Sequence, residues 1–315
     1  MYDIIDLVID YMSAYKYKRE HSNFFILPDS PTKGSREKKT IIELKTSLID
    51  GKVIVDKTSR IGFLKYERYI GCSESCSEKM SYEIAKIIGI PCAQVELAKD
   101  SDGRLGSISY LFNYKNGRMI SEHIDAKDFI NKSEAERKEY YTIPNIKSVL
   151  DRYDESLFKG FLNIMVFDAL VGETDRHEEN WGVSKSQKGY QISPLYDNGC
   201  NLLREFKDKG YAEEFYSGKK DFNRYILKSP TYIYKEGTNN RYKHFELIEY
   251  LCSIYPNEIK EHIEKVRLLT DSAINKVVDR IPKELLDEKH KEYIKKYLKI
   301  RREILLKMIE NKGCE

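Results

Sequence analysis

The sequence predicts an α+β protein, with a β-rich front of about 115 residues and a mostly helical remainder. Three observations carry that prediction. Short runs of Ile, Val, Thr and aromatic residues (TIIELKTSLI, GKVIVDK, RIGFLKY) follow one another between residues 40 and 66. Two more such runs, AQVELAK and RLGSISYLFNY, close the front part. From Lys243 onward apolar residues instead recur at helical spacing, in HFELIEYLCSIY, EIKEHIEKVRLL and EYIKKYLKIRREILLKMI.

Taken in order, residues 1–20 can form an amphipathic helix, with Ile4, Ile5, Val8, Ile9 and Met12 on one face. The stretch LPDSPTKGSREKK, residues 27–39, reads as a loop because of its prolines, glycine and small polar residues. Residues 40–66 read as an antiparallel meander, since Asp50-Gly51 is a strong hairpin signal and Thr58-Ser59 a second break. A helix is expected from Ser77 to Gly89, carrying Met80, Ile84, Ile87 and Ile88 on one side and stopping at Gly89 before Pro91. Two strands joined by a turn at Asp102-Gly103 follow, and the boundary between the two parts is expected near Tyr114 to Met119. Residues 123–160 are polar and expected to be helical in parts, and LFKGFLNIMVFDALV (157–171) suits a buried helix. Residues 190–200 hold a short strand and a turn, while Arg204 to Tyr234 is charged and aromatic without clear periodicity.

Composition narrows the class. The chain has 315 residues, 54 Lys plus Arg against 51 Asp plus Glu, and a formal charge of +3. Such a balance does not predict direct nucleic-acid binding, which usually needs a strongly basic domain. With 12% aromatic residues and 24 tyrosines the chain is no disordered tail. No window offers the ~18 consecutive apolar residues of a membrane span, and Asp3, Asp6 and Asp10 interrupt any secretory signal. The six cysteines are scattered, with only Cys72 and Cys76 close together, so free thiols in a reducing cytoplasm are expected rather than a zinc site. The basic segment from Lys289 to Lys312 is read as a surface helix with its apolar stripe on the core.

Chemistry concentrates in GETDRHEENWGV (172–183) and SPLYDNG (193–199). Asp175, His177 and Asn180 lie within six residues just past the apolar helix, and Asp197 follows Asn180 by 17 residues across an expected hairpin. A hairpin there sets Asn180 beside Asp197, where an amide oxygen and a carboxylate can share Mg²⁺, a hard cation that binds a few protein oxygens plus phosphates and water. Asp175 is then placed to orient a hydroxyl nucleophile. That is the division of labour in phosphoryl transfer.

Thr174-Asp175-Arg176-His177-x-x-Asn180 followed by Tyr196-Asp197-Asn198-Gly199 resembles the active site of HipA-like serine/threonine kinases. The likeness extends to GSREKK (34–39), GFLKY (62–66), SEKMSYEIAKIIGIPCAQVELA (77–98), LGSISYLF (105–112), YTIPNI (141–146) and FDALVGETDRHEENWGV (167–183), clearly over residues 30–205. It is closer to the compact stand-alone members, which include the cell-translocating kinase type, than to the full toxin with its extra N-terminal domain. The resemblance implies a two-lobed protein-kinase-like fold related to the phosphatidylinositol 3/4-kinases. The N-lobe would be residues 1–115 and the helical C-lobe residues 116–315. It implies ATP and Mg²⁺ as cofactors. Asp175 would be the catalytic Asp, His177 the support of the catalytic loop, and Asn180 and Asp197 the metal ligands. Lys65 would contact ATP phosphates. A kinase lysine needs a helix glutamate to hold it; periodicity does not decide between Glu78 and Glu83, and the family pattern favours Glu78. Gly34, Ser35 and Lys38 would belong to a phosphate-binding loop, although Arg36 stands where the toxin has glutamine.

The function so implied is an ATP- and Mg²⁺-dependent protein kinase acting on Ser or Thr of a protein substrate, toxin-like or an effector, capable of autophosphorylation at Ser35 or Ser30. An antitoxin or other regulatory partner is a candidate, and the expected location is the cytoplasm, with export as an effector kept open. A small-molecule or lipid kinase of the same fold is the alternative enzyme, and a non-catalytic nucleotide-binding regulator the alternative of another class. The presence of Lys65, Asp175, Asn180 and Asp197 together disfavours the last.

Overall fold

The computed structural model describes residues 24–26, 37–43, 46–49, 52–55, 60–69, 72–99, 103–115, 118–130, 136–204, 206 and 211–310. The amphipathic helix expected over residues 1–20, and Gly34 and Ser35 of the expected phosphate loop, lie outside them.

The front part is built on a five-stranded antiparallel sheet. Its strands are β1 (Phe24–Ile26), β2 (Lys38–Glu43), β5 (Arg60–Tyr66), β7 (Leu105–Tyr110) and β6 (Val95–Lys99), in that spatial order. Between β2 and β5 the chain makes a separate hairpin, β3 (Thr46–Ile49) and β4 (Lys52–Val55), in which Ile49 pairs with Lys52. The expected meander over 40–66 is therefore corrected. β3 and β4 pair with each other, but β2 pairs directly with β5 and the β3–β4 pair is its own two-stranded sheet. Lys38 and Lys39, expected in a loop, already belong to β2. Ile41, Leu64, Tyr66, Ile108 and Tyr110 bury one face of the large sheet.

The front helix α1 runs Glu74–Ile87, starting three residues before the expected Ser77. Glu74 sits in its first turn, where a carboxylate meets the positive end of the helix dipole, and pairs there with Arg204 and Arg68. The stop is as read. Gly89 adopts φ +73°, and the Ile90 N–H reaches back to the Ala85 carbonyl, a Schellman-type end. Met80, Ile84, Ala85 and Ile88 of α1 join one continuous core with the helical part.

A two-residue hairpin, β8 (Tyr114–Lys115) with β9 (Arg118–Met119), leads out of the front part. Next comes β10 (Glu122–Asp125), a strand that opens the polar stretch read as helical in parts; it pairs with β11 (Gly182–Ser186), which pairs with β12 (Gly189–Ile192). The helices α2 (Ala126–Ile130), α3 (Arg137–Tyr140), α4 (Ile143–Asp151) and α5 (Ser156–Val171) follow β10. α5 is buried along most of its length, as its largely apolar sequence requires, with Asp168 the charged residue inside. After β12 come α6 (Tyr211–Tyr216), α7 (Phe222–Lys228) and a hairpin of β13 (Pro230–Tyr234) and β14 (Arg241–Lys243). The chain then closes with α8 (His244–Ile254), α9 (Pro256–Val266), α10 (Asp271–Asp279) and α11 (Glu288–Glu310).

α11 lays Ile294, Leu298 and Leu305 on the core, as its stripe predicts, but it also buries Arg301 completely. Among the described residues no helix is long and apolar enough to cross a membrane. Cys72, Cys76, Cys92 and Cys200 are free thiols. Cys252 departs from that expectation and is disulfide-bonded.

Candidate active site

Lys65 stands on β5, opposite Lys38 of β2 and Ser107 of β7. The strands approach closely here because residue 106 is glycine: a Cβ there would lie 2.3 Å from the Lys65 carbonyl oxygen. The Lys65 ammonium is buried. It donates to Glu78 Oε1 at 2.9 Å and to Asp197 Oδ1 at 2.7 Å. Burial alone would lower its pKa, but the two carboxylates outweigh it and hold the group above its ordinary value. Glu78 is fixed from its other side, since Ser107 Oγ donates to Oε2 at 2.7 Å. Glu83, the other candidate, pairs with Lys79 instead. Lys38 feels the same group of charges. Partial burial lowers its pKa, and Lys65 does so too, against the pull of Asp197.

The catalytic-loop candidates leave α5 through Gly172. This residue needs φ +75°, and a Cβ on it would lie 1.9 Å from the Tyr297 hydroxyl. Asp175 follows in irregular backbone with its side chain 43% exposed, open to an incoming group. Its N–H donates to Glu173 Oε1 at 2.9 Å, and its carbonyl accepts from Asn180 Nδ2 at 2.6 Å. That second bond fixes the Asn180 amide with its oxygen on the other side. His177 Nδ1 accepts the Glu179 N–H, while Nε2 lies 3.3 Å from the Asn180 amide and 3.9 Å from the Asp175 carboxylate. Burial pushes the Glu173 carboxyl up to about 8.

The expected hairpin does bring the two candidate metal-ligand segments together, but a side chain given no role at the sequence level holds them. Arg176 is 2% exposed. Its Nη1 donates to the Asn180 carbonyl at 2.8 Å and to the Tyr196 carbonyl at 3.0 Å. Its Nη2 reaches Asn198 Oδ1 at 2.6 Å and Asp168 Oδ1 at 2.9 Å. One guanidinium thus ties the loop carrying Asp175 and Asn180 to the turn carrying Asp197. Asp197 itself adopts φ +55°, a sparsely populated conformation for a non-glycine residue, which its neighbours must impose.

Three other groups went unread. Asn201, 3% exposed, donates from Nδ2 to Glu173 Oε2, Ser81 Oγ of α1 and the Asn198 carbonyl. Trp181 donates to the Tyr141 hydroxyl at 2.6 Å, which donates in turn to the Arg176 carbonyl. His244 of α8 meets the Glu173 carbonyl through Nε2 at 2.7 Å. The available signal was only that Arg176 and Trp181 lie inside the motif; Asn201 and His244 are distant or unremarked in sequence.

The donor set suits Mg²⁺. Asn180 and Asp197 are hard oxygen donors adjoining a lysine suited to phosphate. Among the described residues no three His, Cys, Asp or Glu side chains converge, so a cation here would need oxygens from a nucleotide as well.

A model of the HipA-like C-terminal domain matches residues 32–273. The serine/threonine-protein kinase CtkA of Helicobacter pylori is 24% identical over 166 residues, which are 49% of this chain and 47% of that protein. The chain thus matches about half the length of this curated relative. A crystal structure described as a Helicobacter pylori proinflammatory kinase CtkA superposes with a TM-score of 0.68 at 17% identity, covering 91% of this chain and 95% of that one. HipA of Shewanella oneidensis, solved with HipB and operator DNA, superposes at 0.54 and 13% identity over 97% of this chain and 72% of its own. Both superpositions are likenesses of fold.

Proposed function

The chain belongs to the HipA-like C-terminal domain family, and on that premise we propose that it is an ATP- and Mg²⁺-dependent serine/threonine protein kinase. The observation that carries the reading is the Lys65 ammonium between Glu78 and Asp197, with Arg176 joining the Asp197 turn to the loop of Asp175 and Asn180. A buried ammonium beside the half-exposed Asp197 carboxylate, a hard oxygen donor for Mg²⁺, is suited to a polyphosphate. Nucleotide would lie between the sheet, residues up to 115, and the helical part, with Lys65 and Lys38 on its phosphates.

Asn180 and Asp197 would hold Mg²⁺, which when bound neutralises phosphate charge. Asp175 would orient the acceptor hydroxyl and take its proton as the new bond to the γ-phosphorus forms and the bond to the bridging oxygen breaks, releasing ADP. His177 keeps the Asn180 amide in place. Glu78 aims Lys65, and Ser107 aims Glu78. Gly34 and Ser35 are assigned to the phosphate loop on the family pattern alone. Ser35 is the proposed autophosphorylation site, with Ser30 the alternative. A phosphate there would add about −1.5 to −2 charges where ATP must bind.

The test is transfer from radiolabelled ATP, to the protein itself and to a generic basic protein, with Asp175→Ala beside the wild type. Transfer lost in a variant that melts like the wild type is expected. Undiminished transfer in Asp175→Ala would refute the role given to that carboxylate. Intact mass after incubation with ATP checks autophosphorylation, and an added phosphate that persists in both Ser35→Ala and Ser30→Ala would move the site elsewhere.

A further inference from the structure

Beside the catalytic loop the β13–β14 hairpin carries an arginine without a carboxylate. Arg241 is the cross-strand partner of Tyr234. Its guanidinium lies 4.0 Å from the centre of the Tyr232 ring and 5.3 Å from that of Tyr234. No ion pair of Arg241 is found among the described residues. Its neighbour Arg137 is 5.4 Å from the same Tyr232 ring but already engaged. Nε and Nη2 of Arg137 donate to Glu178 Oε1, and Nη1 donates to the Tyr232 hydroxyl.

Tyr232 links this arginine to the chemistry. Its ring meets the His177 ring edge-on at 5.5 Å, and His177 Nε2 is 3.9 Å from Asp175. Arg137 pairs with Glu178, and Lys127 pairs with Glu179. The flank belongs to the helical part, whereas Lys65 stands on the sheet.

We propose that Arg241, seated on Tyr232 and Tyr234, is an acceptor subsite that binds an acidic side chain of the protein substrate a few residues from the phosphorylated Ser or Thr. The proposal rests on the kinase reading above and adds the substrate's sequence class. A guanidinium stacked on a ring keeps its N–H edge for a carboxylate, which it meets with two parallel bonds. The two tyrosines also hold it in place, so little side-chain freedom is lost on binding. The rings between Arg241 and Asp175 span on the order of 10 Å, about three or four residues of extended chain at ~3.3 Å each.

Fluorescein-labelled peptides with one Ser in an Ala/Gly background test this. One set carries Glu at each position from four before to four after the Ser, and a matched set carries Lys. Binding to the full chain is read by anisotropy, and transfer from Mg²⁺-ATP is read separately. At one or more positions Glu is expected to bind roughly fivefold tighter than Lys, the gain of a partly exposed ion pair. Arg241→Glu is expected to reverse that order, a gain for the Lys peptides that misfolding cannot produce. Arg241→Gln is expected to abolish it. A wild type indifferent to Glu or Lys, or a preference unchanged in Arg241→Glu, overturns the subsite whatever the transfer activity. A binding preference with no transfer to any peptide supports the subsite and counts against the kinase reading.

Discussion

Removing the Arg176 guanidinium is the perturbation with the clearest consequence. Its side chain is 2% exposed and its partner Asp168 is 3% exposed. Three contacts of 2.9–3.3 Å join Nε and Nη2 to the two Asp168 oxygens. Arg176→Ala leaves Asp168 as an uncompensated buried carboxylate, which costs ~3–5 kcal/mol. It also strips donors from the Asn180 and Tyr196 carbonyls and from Asn198 Oδ1. At about 2–4 °C per kcal/mol for a chain of a few hundred residues, the melting temperature falls by at least about 6 °C. Differential scanning calorimetry measures it. The double variant Asp168→Leu with Arg176→Met should melt above Arg176→Ala, because it removes the stranded charge while filling the space. Arg176→Lys keeps the charge but cannot serve five oxygens at once, so it should fold and bind Mg²⁺-ATP more weakly in titration calorimetry. A melting temperature of Arg176→Ala within about 2 °C of wild type would refute the reasoning.

Three further outcomes are expected. Lys65→Met should lower phosphate transfer by about a hundredfold or more, measured as initial rate at saturating ATP; a rate within tenfold of wild type would remove Lys65 from the reaction. Gly172→Ala forces an L side chain into φ +75° and against Tyr297. It should destabilise the fold by at least about 1–2 kcal/mol in urea unfolding, and unchanged stability would contradict the close approach. Burial, with Arg301 nearby, pushes the His244 imidazole down to about 3 from 6.5. The unfolded chain therefore binds the extra proton first, and stability is full above pH 6.5 and lost as pH falls toward 3, by about 1.4 kcal/mol per unit. Subtracting the pH profile of His244→Gln from that of wild type isolates this loss between pH 7 and 5.5, and a flat difference would show the ring protonates in the fold.

Much of the fold could be read locally. The buried helix at 156–171 appeared as an apolar run, and the 182–192 hairpin and the Gly89 stop as turn chemistry. Errors came where partners are distant. Residues 40–66 look like a meander because each strand is legible by itself, but pairing β2 with β5 depends on which edges meet in space. The polar stretch 123–160 is helical in parts, but its first residues form β10 because β11, some sixty residues later, offers an edge. α1 begins at Glu74, which pairs with Arg204 far along the chain, a contact no local pattern marks.

The sequence by itself determined the α+β class, the strand over residues 60–66 and the hairpin that follows Asn180, because local composition and turn residues encode these. Periodicity left Glu78 and Glu83 open, and nothing local marked Arg176, Asn201 or His244 as supports. The tertiary structure decided those: Glu78 reaches Lys65 while Glu83 meets Lys79, and a single buried guanidinium spans two loops. The physical reason is that a buried charge is tolerated only where oxygens converge on it, and that convergence gathers residues from separate stretches of the chain that no short window of sequence contains.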